Sequence, residues 1–372
     1  MSYRPKFKIA MIGSKGIPAS FGGIERHVEE ISARLASAGH EVTVYGRKPF
    51  SESCIFRGVR VKNLPSIRTK NLDAATNSLL ATIHALFTDY DIIHYHGIGP
   101  SLFCPLVRLS GKKTVATIHA PDYKQVKWGP FARVMLRRGE KTAATVPDAS
   151  IAVSRLMAER LNSQPGRKVR YIPNGATVRP LPDFAIGSEL GLESGEYILA
   201  VGRFIFEKGF HDLIEAYSGI DSGLKLVLVG DEKSADREYS DLLRRRSDSR
   251  TVFTGFQTGG NLDQLYAHCR FYVLPSYVEG LPITLIEAMS FGCPLLISDI
   301  PENMEVAGSI AATFRSGDRA ELESAMKAMV SMSEEEREKM GSKGRERVKK
   351  SYNWDLITEK IEKLYYEIKK VL

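Results

Sequence analysis

The stretch YILAVGRFIFEKGF, residues 197–210, joins an apolar run typical of a buried β-strand to a loop and the start of a helix. A second apolar run, KIAMIG at residues 8–13, opens the chain. Behind each of them, β-type runs alternate with helical patterns, which indicates a parallel sheet with crossover helices. The sequence therefore predicts two doubly wound, Rossmann-like α/β domains that face each other across a cleft.

A stretch rich in proline and glycine, near residues 173–187, separates two series of predicted strands. The first series lies at residues 8–13, 41–46, 91–96, 113–119, 149–154 and 169–173, and the second at 197–202, 225–230, 251–255, 271–275 and 294–298. We therefore predict a first domain over residues 1–178 and a second over 188–353. Ligands of such sheets bind outside the carboxyl ends of the strands, so the expected site is the cleft between the domains.

The end of the chain has a different character. Residues 333–350 and 354–370 both read as charged helices. The second of these places Trp354, Ile357 and Ile361 at helical spacing, which predicts one apolar face that packs against a domain.

Length and composition are those of an ordinary soluble protein. The chain has 372 residues, of which 43% are hydrophobic and 26% charged, which favours two domains and excludes the disordered and fibrous classes. The four cysteines form no CxxC pair and predict neither a disulfide framework nor a zinc site. No stretch reads as a signal peptide or a membrane span, so we expect a cytoplasmic protein.

The formal charge is unevenly distributed along the chain. Residues 1–180 carry 28 lysines and arginines against 12 acidic residues, whereas residues 181–372 carry 24 against 32. The formal charges of the two halves are therefore +16 and −8. This asymmetry points to a polyanion or an anionic membrane surface as a partner of the first half, or to ordinary solvated surface.

Residues 278–294, VEGLPITLIEAMSFGCP, place Glu279 and Glu287 on either side of a largely apolar run. A proline suits the first position of a helix and a glycine its end, which predicts a helix from Leu281 or Pro282 to about Gly292. Glu279 then lies in the loop before the helix, and Glu287 lies in or near its second turn.

The start of this helix is a candidate anion site. Free N–H groups and the positive end of the helix dipole favour an anion, and Gly280 leaves the approach open. An anion flanked by the carboxylates of Glu279 and Glu287 suggests a phosphate joined to hydroxylated groups. The alternative is a core helix with one N-terminal and one exposed glutamate.

A glycine-rich loop follows the first strand. It reads GSKGIPASFGGIE, and its Gly22 and Gly23 stand ahead of a helix that is predicted to start near Ile24. Glycine lets the backbone approach a ligand closely. The GxGxxG of a dinucleotide site is absent, but Arg47 after the next strand suits a 2′-phosphate, so an NADP-dependent oxidoreductase stays open as an alternative.

Two cations follow the strand at residues 197–202. Arg203 and Lys208 lie in the loop and at the start of the next helix, and two cations with a helix end suit a diphosphate. The alternative is surface pairing with Glu207, which is less suitable for Arg203 because a strand terminus in this fold faces the cleft.

Three histidines lie at strand ends. His94 and His96 share one face of a strand, and His119 ends another, where it is expected to face the reacting group. The alternative for His119 is a hydrogen-bonded histidine at a strand end. A third and fourth ligand at metal-site spacing are not evident, so no metal is expected. The sequence Asp89-Tyr90-Asp91 resembles a metal-binding DxD, but it precedes its strand and reads as a strand-entry turn.

Residues 123–143 form a basic segment with interleaved apolar residues. The cations fall on one arc of the predicted helix, and this arrangement favours a membrane interface with anionic lipid. The other interpretation is a domain helix whose apolar face lies in the core. The cations are Lys124, Lys127, Arg133, Arg137, Arg138 and Lys141, beside Trp128, Phe131, Met135 and Leu136.

The motifs VGRFIFEKG, EGLPITLIEAMSFGCP, TIH and GGIE occur in an order that resembles glycosyltransferase family 4, the retaining sugar-nucleotide transferases of GT-B architecture. The resemblance covers essentially the whole chain, and its most specific element is the pair Glu279 and Glu287 with seven residues between them. It implies a hexosyltransferase (EC 2.4 class) that moves a sugar from a nucleotide-diphosphate donor to a saccharide or a lipid-linked saccharide. It implies neither a metal nor a cofactor.

The resemblance also implies roles for the candidate residues. Glu287 would bind the ribose hydroxyls of the donor, and Glu279 the hydroxyls of the donor sugar. His119 would lie beside the transferred sugar. The diphosphate would meet the side chains of Arg203 and Lys208, the backbone at Gly280, Leu281, Pro282 and Ile283, and Gly22 and Gly23 from the first domain. The last helix, residues 354–372, would cross back to the first domain.

The segments IGSKGIPASFGGIERHVEE and KWGPFARVMLRRGEK are most similar to a bacterial subset associated with rhamnosyl transfer in surface polysaccharide assembly. Such an enzyme would lie in the cytoplasm, peripherally at the inner face of the plasma membrane. Related chains often read NGVD after the last strand of the first domain, where this chain has residues 174–177, NGAT. That departure leaves a donor contact from this turn open.

Three other classes of protein compete with this interpretation. An NADP-dependent oxidoreductase would need the missing GxGxxG, and a sugar-nucleotide epimerase of GT-B architecture would use no acceptor. A nucleic-acid binder would depend on the basic half and would lose affinity steeply with salt. None of the three accounts for Glu279 and Glu287 together with Arg203 and Lys208, and no nucleic-acid partner is expected.

Overall fold

The structure, a computed structural model, describes residues 5–19, 22–48, 50–67, 69, 72–125, 128–230 and 237–370. The chain forms two compact units. The first unit consists of Met1–Asn174 and Trp354–Leu372, and the second of Gly175–Asn353. Each unit contains one mainly parallel sheet whose strands are joined by helices.

The first unit contains an eight-stranded sheet. Its strands are β1 Lys8–Ile12, β2 Glu41–Arg47, β3 Ile55–Phe56, β4 Val59–Leu64, β5 Ile92–His96, β6 Lys113–Ile118, β7 Ala149–Ala152 and β8 Val169–Tyr171. They lie in the order β3-β4-β2-β1-β5-β6-β7-β8. All neighbours are parallel except β3 and β4, an antiparallel hairpin that the sequence analysis did not predict. Its turn residues Arg57 and Gly58 both have positive φ, as a tight two-residue hairpin turn requires.

The helices between these strands cover both faces of the sheet. They are α1 Gly23–Ser37, α2 Asp73–Leu86, α3 Cys104–Arg108, α4 Pro130–Thr145 and α5 Arg155–Asn162. Successive strand residues point to opposite faces, so Ile9 and Met11 pack with α1, whereas Ala10 and Ile12 pack with α2 to α5. The two apolar layers explain why the strands read as nearly continuous hydrophobic runs.

The second unit contains a six-stranded parallel sheet. Its strands are β9 Tyr197–Val201, β10 Lys225–Val229, β11 Thr251–Gly255, β12 Phe271–Leu274, β13 Leu295–Ser298 and β14 Ala312–Phe314, in the order β11-β10-β9-β12-β13-β14. The helices are α6 Ala185–Leu190, α7 Phe210–Ser218, α8 Arg237–Arg246, α9 Gly259–His268, α10 Ile283–Phe291, α11 Pro301–Ala307, α12 Arg319–Ser331 and α13 Glu334–Ser351. The strand order turns at β9 and β12, which makes the loops after these two strands the expected binding region of the sheet.

The last helix, α14 Trp354–Lys369, belongs to the first unit, which confirms the predicted return of the C-terminal helix. Its apolar face, including Trp354, Ile357 and Ile361, is buried beside α1 and β1. The phenol of Tyr365 also lies 2.7 Å from Nδ1 of His94. The charged face of α14 remains at the surface, in agreement with its amphipathic sequence.

The first unit ends at Asn174, earlier than the predicted domain end at residue 178. Backbone hydrogen bonding explains the difference. The N–H of Ala176 donates to the carbonyl of Tyr352 (2.8 Å), and Ala176 forms an isolated parallel bridge with Asn353, so the turn belongs to the second unit.

Within the described residues, no helix is both long and apolar enough to cross a membrane.

Candidate active site

In the second unit, the loops after β9 and β12 are held together by backbone and side-chain contacts. The N–H of Tyr277 donates to the carbonyl of Glu207 at 2.9 Å. The ammonium of Lys208, at the end of the short 3₁₀ turn Phe206–Lys208, lies 2.5 Å from Oε1 of Glu279. Two of the predicted site residues, which are 71 positions apart in the sequence, therefore form a partly buried ion pair.

Gly209 explains how the two loops can approach so closely. Its φ is +67°, and a Cβ at this position would lie 2.1 Å from the carbonyl oxygen of Pro275. Both the left-handed backbone and the lack of a side chain are therefore required here. The glycine follows the 3₁₀ turn directly and precedes α7, so it fixes the position of Lys208 at the end of that turn.

Glu279 receives two hydrogen bonds on one oxygen and keeps the other available. Its Oε1 accepts from the hydroxyl of Ser276 at 2.6 Å as well as from Lys208. Its Oε2 makes no hydrogen bond to any residue that the structure describes. A carboxylate held in this way is a prepared acceptor for a ligand hydroxyl.

The helix after Glu279 is α10, and it begins one residue later than the latest predicted start. Pro282 is its N-cap, with the extended angles φ −72° and ψ 104°, and Ile283 is the first helical residue. The helix ends at Gly292 in the left-handed conformation, as predicted. The N-cap residue Pro282 makes no side-chain hydrogen bond to this N-terminus, and the N–H groups of the first turn have no partner inside the helix.

Glu287 lies in the second turn of α10 and is half-buried. The hydroxyl of Tyr266 on α9 lies 3.4 Å from its Oε2. Burial raises the pKa of Tyr266 well above its usual value, and the neighbouring Glu287 raises that pKa further. Tyr266 therefore stays a neutral hydrogen-bond donor that orients the carboxylate.

Arg203 follows β9 and is exposed. Among the described residues, its guanidinium has neither an ion-pair nor a hydrogen-bond partner. Lys208 pairs with Glu279 and not with Glu207, the partner that the alternative interpretation named. Of these two predicted site cations, Arg203 thus has no counter-charge among the described residues, whereas Lys208 is held by Glu279.

In the first unit, His119 stands directly after β6 and is buried. Its Nε2 lies 3.4 Å from Nδ1 of His96, the last residue of β5. The ring of His27 on α1 lies edge-on to it, with ring centroids 4.8 Å apart. Because β5 and β6 are neighbouring parallel strands, their carboxyl ends bring these side chains together.

Burial controls the charge of this histidine cluster. It lowers the pKa of His27 to about 4, although the hydrogen bond with Asn174 opposes this effect. Burial also lowers the pKa values of His96 and His119 well below 6.5, and the neighbouring imidazoles lower them further. All three rings are therefore neutral at pH 7.

The glycine-rich loop is fixed by acidic residues of α1. Gly22 is the N-cap of α1, and Gly23 is its first residue. One oxygen of Glu25 accepts from the N–H of Lys15 at 2.9 Å, and one of Glu29 accepts from the N–H of Ala19 at 2.6 Å. Ser20 and Phe21 of the same loop lie outside the described residues.

Arg47 does not fit the role that an NADP-dependent enzyme would give it. Its side chain is buried, and its guanidinium donates to Asp73 on α2 at 2.7 Å. A cation that is already paired inside the unit is not available for a 2′-phosphate. Residues 89–91 precede β5, as predicted, and the carboxylate of Asp91 accepts from the N–H of Lys8 at 2.9 Å.

The basic segment becomes α4, Pro130–Thr145, and the domain-helix interpretation accounts for part of it. From Leu136 onward it packs into the unit, through Leu136, Gly139 and Ala143. Its first half leaves Phe131 81% and Val134 47% exposed. The exposed cations of this segment are Arg133, Arg137, Arg138 and Lys141 of α4, and Lys124 before it. Lys127 lies outside the described residues.

Comparisons with known proteins agree with this architecture. The family profile "Glycosyltransferase Family 4" matches residues 21–179, and "Glycosyl transferases group 1" matches residues 186–347. The structure is similar to that of sucrose-phosphate synthase from Thermosynechococcus elongatus, with a TM-score of 0.84 and 22% identity over 99% of this chain and 100% of the other. The chain belongs to the GT-B glycosyltransferases.

Two curated relatives of this glycosyltransferase are mannosyltransferases. The GDP-mannose-dependent alpha-(1-6)-phosphatidylinositol monomannoside mannosyltransferase of Mycobacterium tuberculosis is 28% identical, over 94% of this chain and 96% of the relative. The O-antigen chain mannosyltransferase C of Escherichia coli is 26% identical, over 76% of this chain and 77% of the relative. Neither comparison supports the narrower resemblance to rhamnosyltransferases.

Several residues of the glycosyltransferase that shape these sites were missed in the sequence. His27 lies on the buried face of α1 with Val28 and Ile31, so helical periodicity gave a signal for its burial but not for its partners. The contacts of Ser276 and Tyr266 with the two glutamates depend on tertiary packing and left no local signal.

Proposed function

We propose that this glycosyltransferase moves a sugar from a nucleoside diphosphate donor to a saccharide or lipid-linked saccharide acceptor, with retention of configuration and without a metal ion. In this proposal the donor binds to the second unit at Arg203, Lys208, Glu279 and the start of α10. The observation that carries the proposal is the Lys208–Glu279 pair of 2.5 Å, in the loops before α7 and α10, together with an α10 N-terminus whose N-cap residue, Pro282, offers no capping side chain. Together they offer positive groups to a diphosphate and a carboxylate to a sugar.

Each part of the donor has a matching group. The diphosphate takes Arg203, Lys208 and the N–H groups that begin at Ile283, since cations and helix N-termini both bind phosphate. The ribose hydroxyls donate to Glu287, which Tyr266 orients. The sugar hydroxyls donate to the remaining oxygen of Glu279.

Residues of the first unit complete the proposal. His119 contacts the transferred sugar as a neutral imidazole. Gly22 and Gly23 leave the backbone accessible to the phosphates, in a loop whose shape Glu25 and Glu29 maintain.

The proposed chemistry follows from the charges. The bond between the anomeric carbon and the diphosphate oxygen breaks, and negative charge grows on the leaving group. An acceptor hydroxyl attacks from the same face, its oxygen bonds to the anomeric carbon, and its proton passes to the leaving diphosphate. Donors that are fixed before the reaction stabilise the developing charge without reorganisation, which is usually the largest catalytic contribution.

We further propose a role in bacterial surface polysaccharide synthesis, with peripheral binding to an anionic membrane. Exposed Phe131 and Val134 on the first half of α4, which also exposes Arg133, support this part of the proposal. The M. tuberculosis relative is named for a phosphatidylinositol-linked acceptor and the E. coli relative for an O-antigen chain. An apolar anchor beside arginines suits a lipid surface that carries such an acceptor.

Thermal unfolding with UDP, GDP, dTDP, ADP and NADP⁺, each in EDTA and then with Mg²⁺, tests the donor class. A ligand at 100 times its dissociation constant adds about 2.7 kcal/mol to the free energy of unfolding. One nucleoside diphosphate should stabilise the protein in EDTA. Stabilisation by NADP⁺ alone would contradict the proposal, and turnover of a sugar nucleotide to its epimer without an acceptor would identify an epimerase.

A further inference from the structure

The histidine cluster of the first unit combines three elements of the fold. His27 lies on α1, His96 ends β5 and His119 follows β6, and their exposed fractions are 0%, 1% and 7%. One ring nitrogen of each lies within 4.8 Å of the other two. His27 and His96 are 69 positions apart in the sequence, which explains why no metal-binding spacing motif indicates the cluster.

His27 is held as metal-binding histidines are held. Its Nδ1 lies 2.9 Å from Oδ1 of Asn174, so this nitrogen carries the proton and the lone pair is on Nε2. Nε2 is buried and has no hydrogen-bond partner among the described residues. A buried acceptor without a partner is costly and requires an explanation.

His96 and His119 have a spacing that suits a shared ion. Nε2 of His96 lies 3.4 Å from Sδ of Met11, a weak acceptor, which leaves Nδ1 to face His119. The distance between Nδ1 of His96 and Nε2 of His119 is also 3.4 Å. Two nitrogens bound at about 2.0–2.1 Å to a tetrahedral zinc ion lie about 3.4 Å apart.

We propose that His27, His96 and His119 bind a first-row transition metal ion such as Zn²⁺ through one ring nitrogen each, with a fourth ligand from solvent. Neutral imidazole is a preferred ligand of these ions, and three histidines with one open position form a known type of zinc site. The rings need to close from at most 4.8 Å to about 3.4 Å between nitrogens.

The metal site has a consequence for the proposed transfer reaction. Only this consequence rests on the proposed function. A metal ion on His119 removes that side chain from the sugar, so it should inhibit transfer that otherwise needs no metal. The inference about binding itself does not require a donor, an acceptor or any activity.

Cobalt titration of the metal-free protein tests the proposal in a Cys54→Ser background, because Cys54 is an exposed thiol. One equivalent of Co²⁺ per chain should give the visible absorption of a tetrahedral site, and one equivalent of Zn²⁺ should abolish it. His27→Gln should abolish tight binding, and His268→Gln in the second unit should leave it unchanged. Absence of a tetrahedral spectrum overturns the proposal.

A second variant removes dependence on how His27→Gln folds. Asn174→Ala keeps all three ligands but releases the orienting hydrogen bond, and such changes typically weaken metal binding about 10–100-fold. X-ray absorption of the zinc-loaded wild type should show three imidazole nitrogens and one oxygen. A sulfur ligand, or unchanged affinity in both variants, would place the ion elsewhere and overturn the proposal.

Discussion

Both units place polar side chains at the carboxyl ends of parallel strands, but they treat charge differently. The second unit gathers ionised groups, with Lys208 against Glu279 and Arg203 exposed nearby. The first unit gathers buried imidazoles whose pKa values burial lowers, among them His27 and His119. Ionised groups suit recognition of a diphosphate, whereas neutral rings suit contact with a sugar or a metal ion.

The formal net charges of the two units have opposite signs. Residues 1–174 and 354–372 carry 31 lysines and arginines against 16 acidic residues, and residues 175–353 carry 21 against 28. The formal charges are therefore +15 and −7. The unit that binds the anionic donor in our proposal is thus the acidic one, so local groups rather than net charge attract the diphosphate.

The largest effect is expected from the charge of Lys208. Lys208→Met should lower kcat/KM by about 10²–10³-fold, because removal of one preorganised group that stabilises developing charge typically costs that much. A transfer assay with the donor selected by thermal unfolding measures the loss. The matched control is Lys343→Met, at an exposed position of α13. An unchanged kcat/KM for the folded Lys208→Met protein would remove Lys208 from the site.

The second prediction concerns the glycine that joins the two loops of the second unit. Gly209→Ala should cost about 3 kcal/mol of folding free energy, since it adds overpacking against Pro275 to the strain of a left-handed backbone. Gly223→Ala has a similar φ, +71°, but nothing within 4 Å of the added Cβ, so it should cost only about 1 kcal/mol.

Urea unfolding followed by circular dichroism compares the two alanine variants. Tryptophan fluorescence reports only the first unit, because Trp128 and Trp354 are the two tryptophans of the chain and both belong to it. The fluorescence transition should be the same in both variants. Equal costs for the two substitutions would show that the loops do not need their close approach.

The third prediction is a pH dependence confined to the first unit. His27 has a pKa of about 4 in the folded protein against 6.5 when solvated. Its contribution to the free energy of unfolding is therefore complete above pH 6.5 and is lost as the pH falls toward 4, because the unfolded chain binds the proton first. The loss should reach about 3 kcal/mol, at about 1.4 kcal/mol per pH unit.

Fluorescence-monitored urea unfolding at pH 7.5, 5.5 and 4.5 measures this loss. The ring of Trp354 lies edge-on to His27 with centroids 5.5 Å apart, so the signal arises beside the titrating group. His27→Gln should reduce the slope with pH. A free energy of unfolding that stays constant over this range would show that the cluster is not neutral in the folded state.

The smallest effect is expected at the basic surface of α4. Replacement of Arg137 and Arg138 by glutamine should weaken binding to vesicles that contain anionic lipid by about 1 kcal/mol for each cation. Sedimentation with anionic and neutral vesicles measures it, with Lys343→Gln as the control on the acidic unit. Equal binding of the wild type to both kinds of vesicle would disprove the membrane part of the proposal.

Much of this architecture could be predicted from the sequence. The eleven predicted strands are all present, because strands buried on both faces read as apolar runs. The missed strands are β3, β4 and β14, which are short or interrupted by charged residues such as Arg60 and Lys62. Such strands form because a neighbouring strand offers its backbone, and this tertiary effect leaves little trace in the sequence.

The site was less predictable than the fold. Strand ends and helix starts located Arg203, Lys208, Glu279 and Glu287 in one unit, since parallel strands carry their loops to the same edge. The pairing of Lys208 with Glu279 instead of Glu207 depends on the close approach at Gly209. Contacts of this kind follow from packing between distant segments and not from local pattern.

Calorimetric titration in EDTA of the nucleoside diphosphate selected above, into the wild type, Lys208→Met and Glu287→Ala, tests the central claim most directly. The account predicts one site per chain in the wild type and at least about tenfold weaker binding in each folded variant, equivalent to about 1.4 kcal/mol. Equal affinity in all three proteins would contradict it, because the diphosphate and the ribose would then be bound outside the second-unit site.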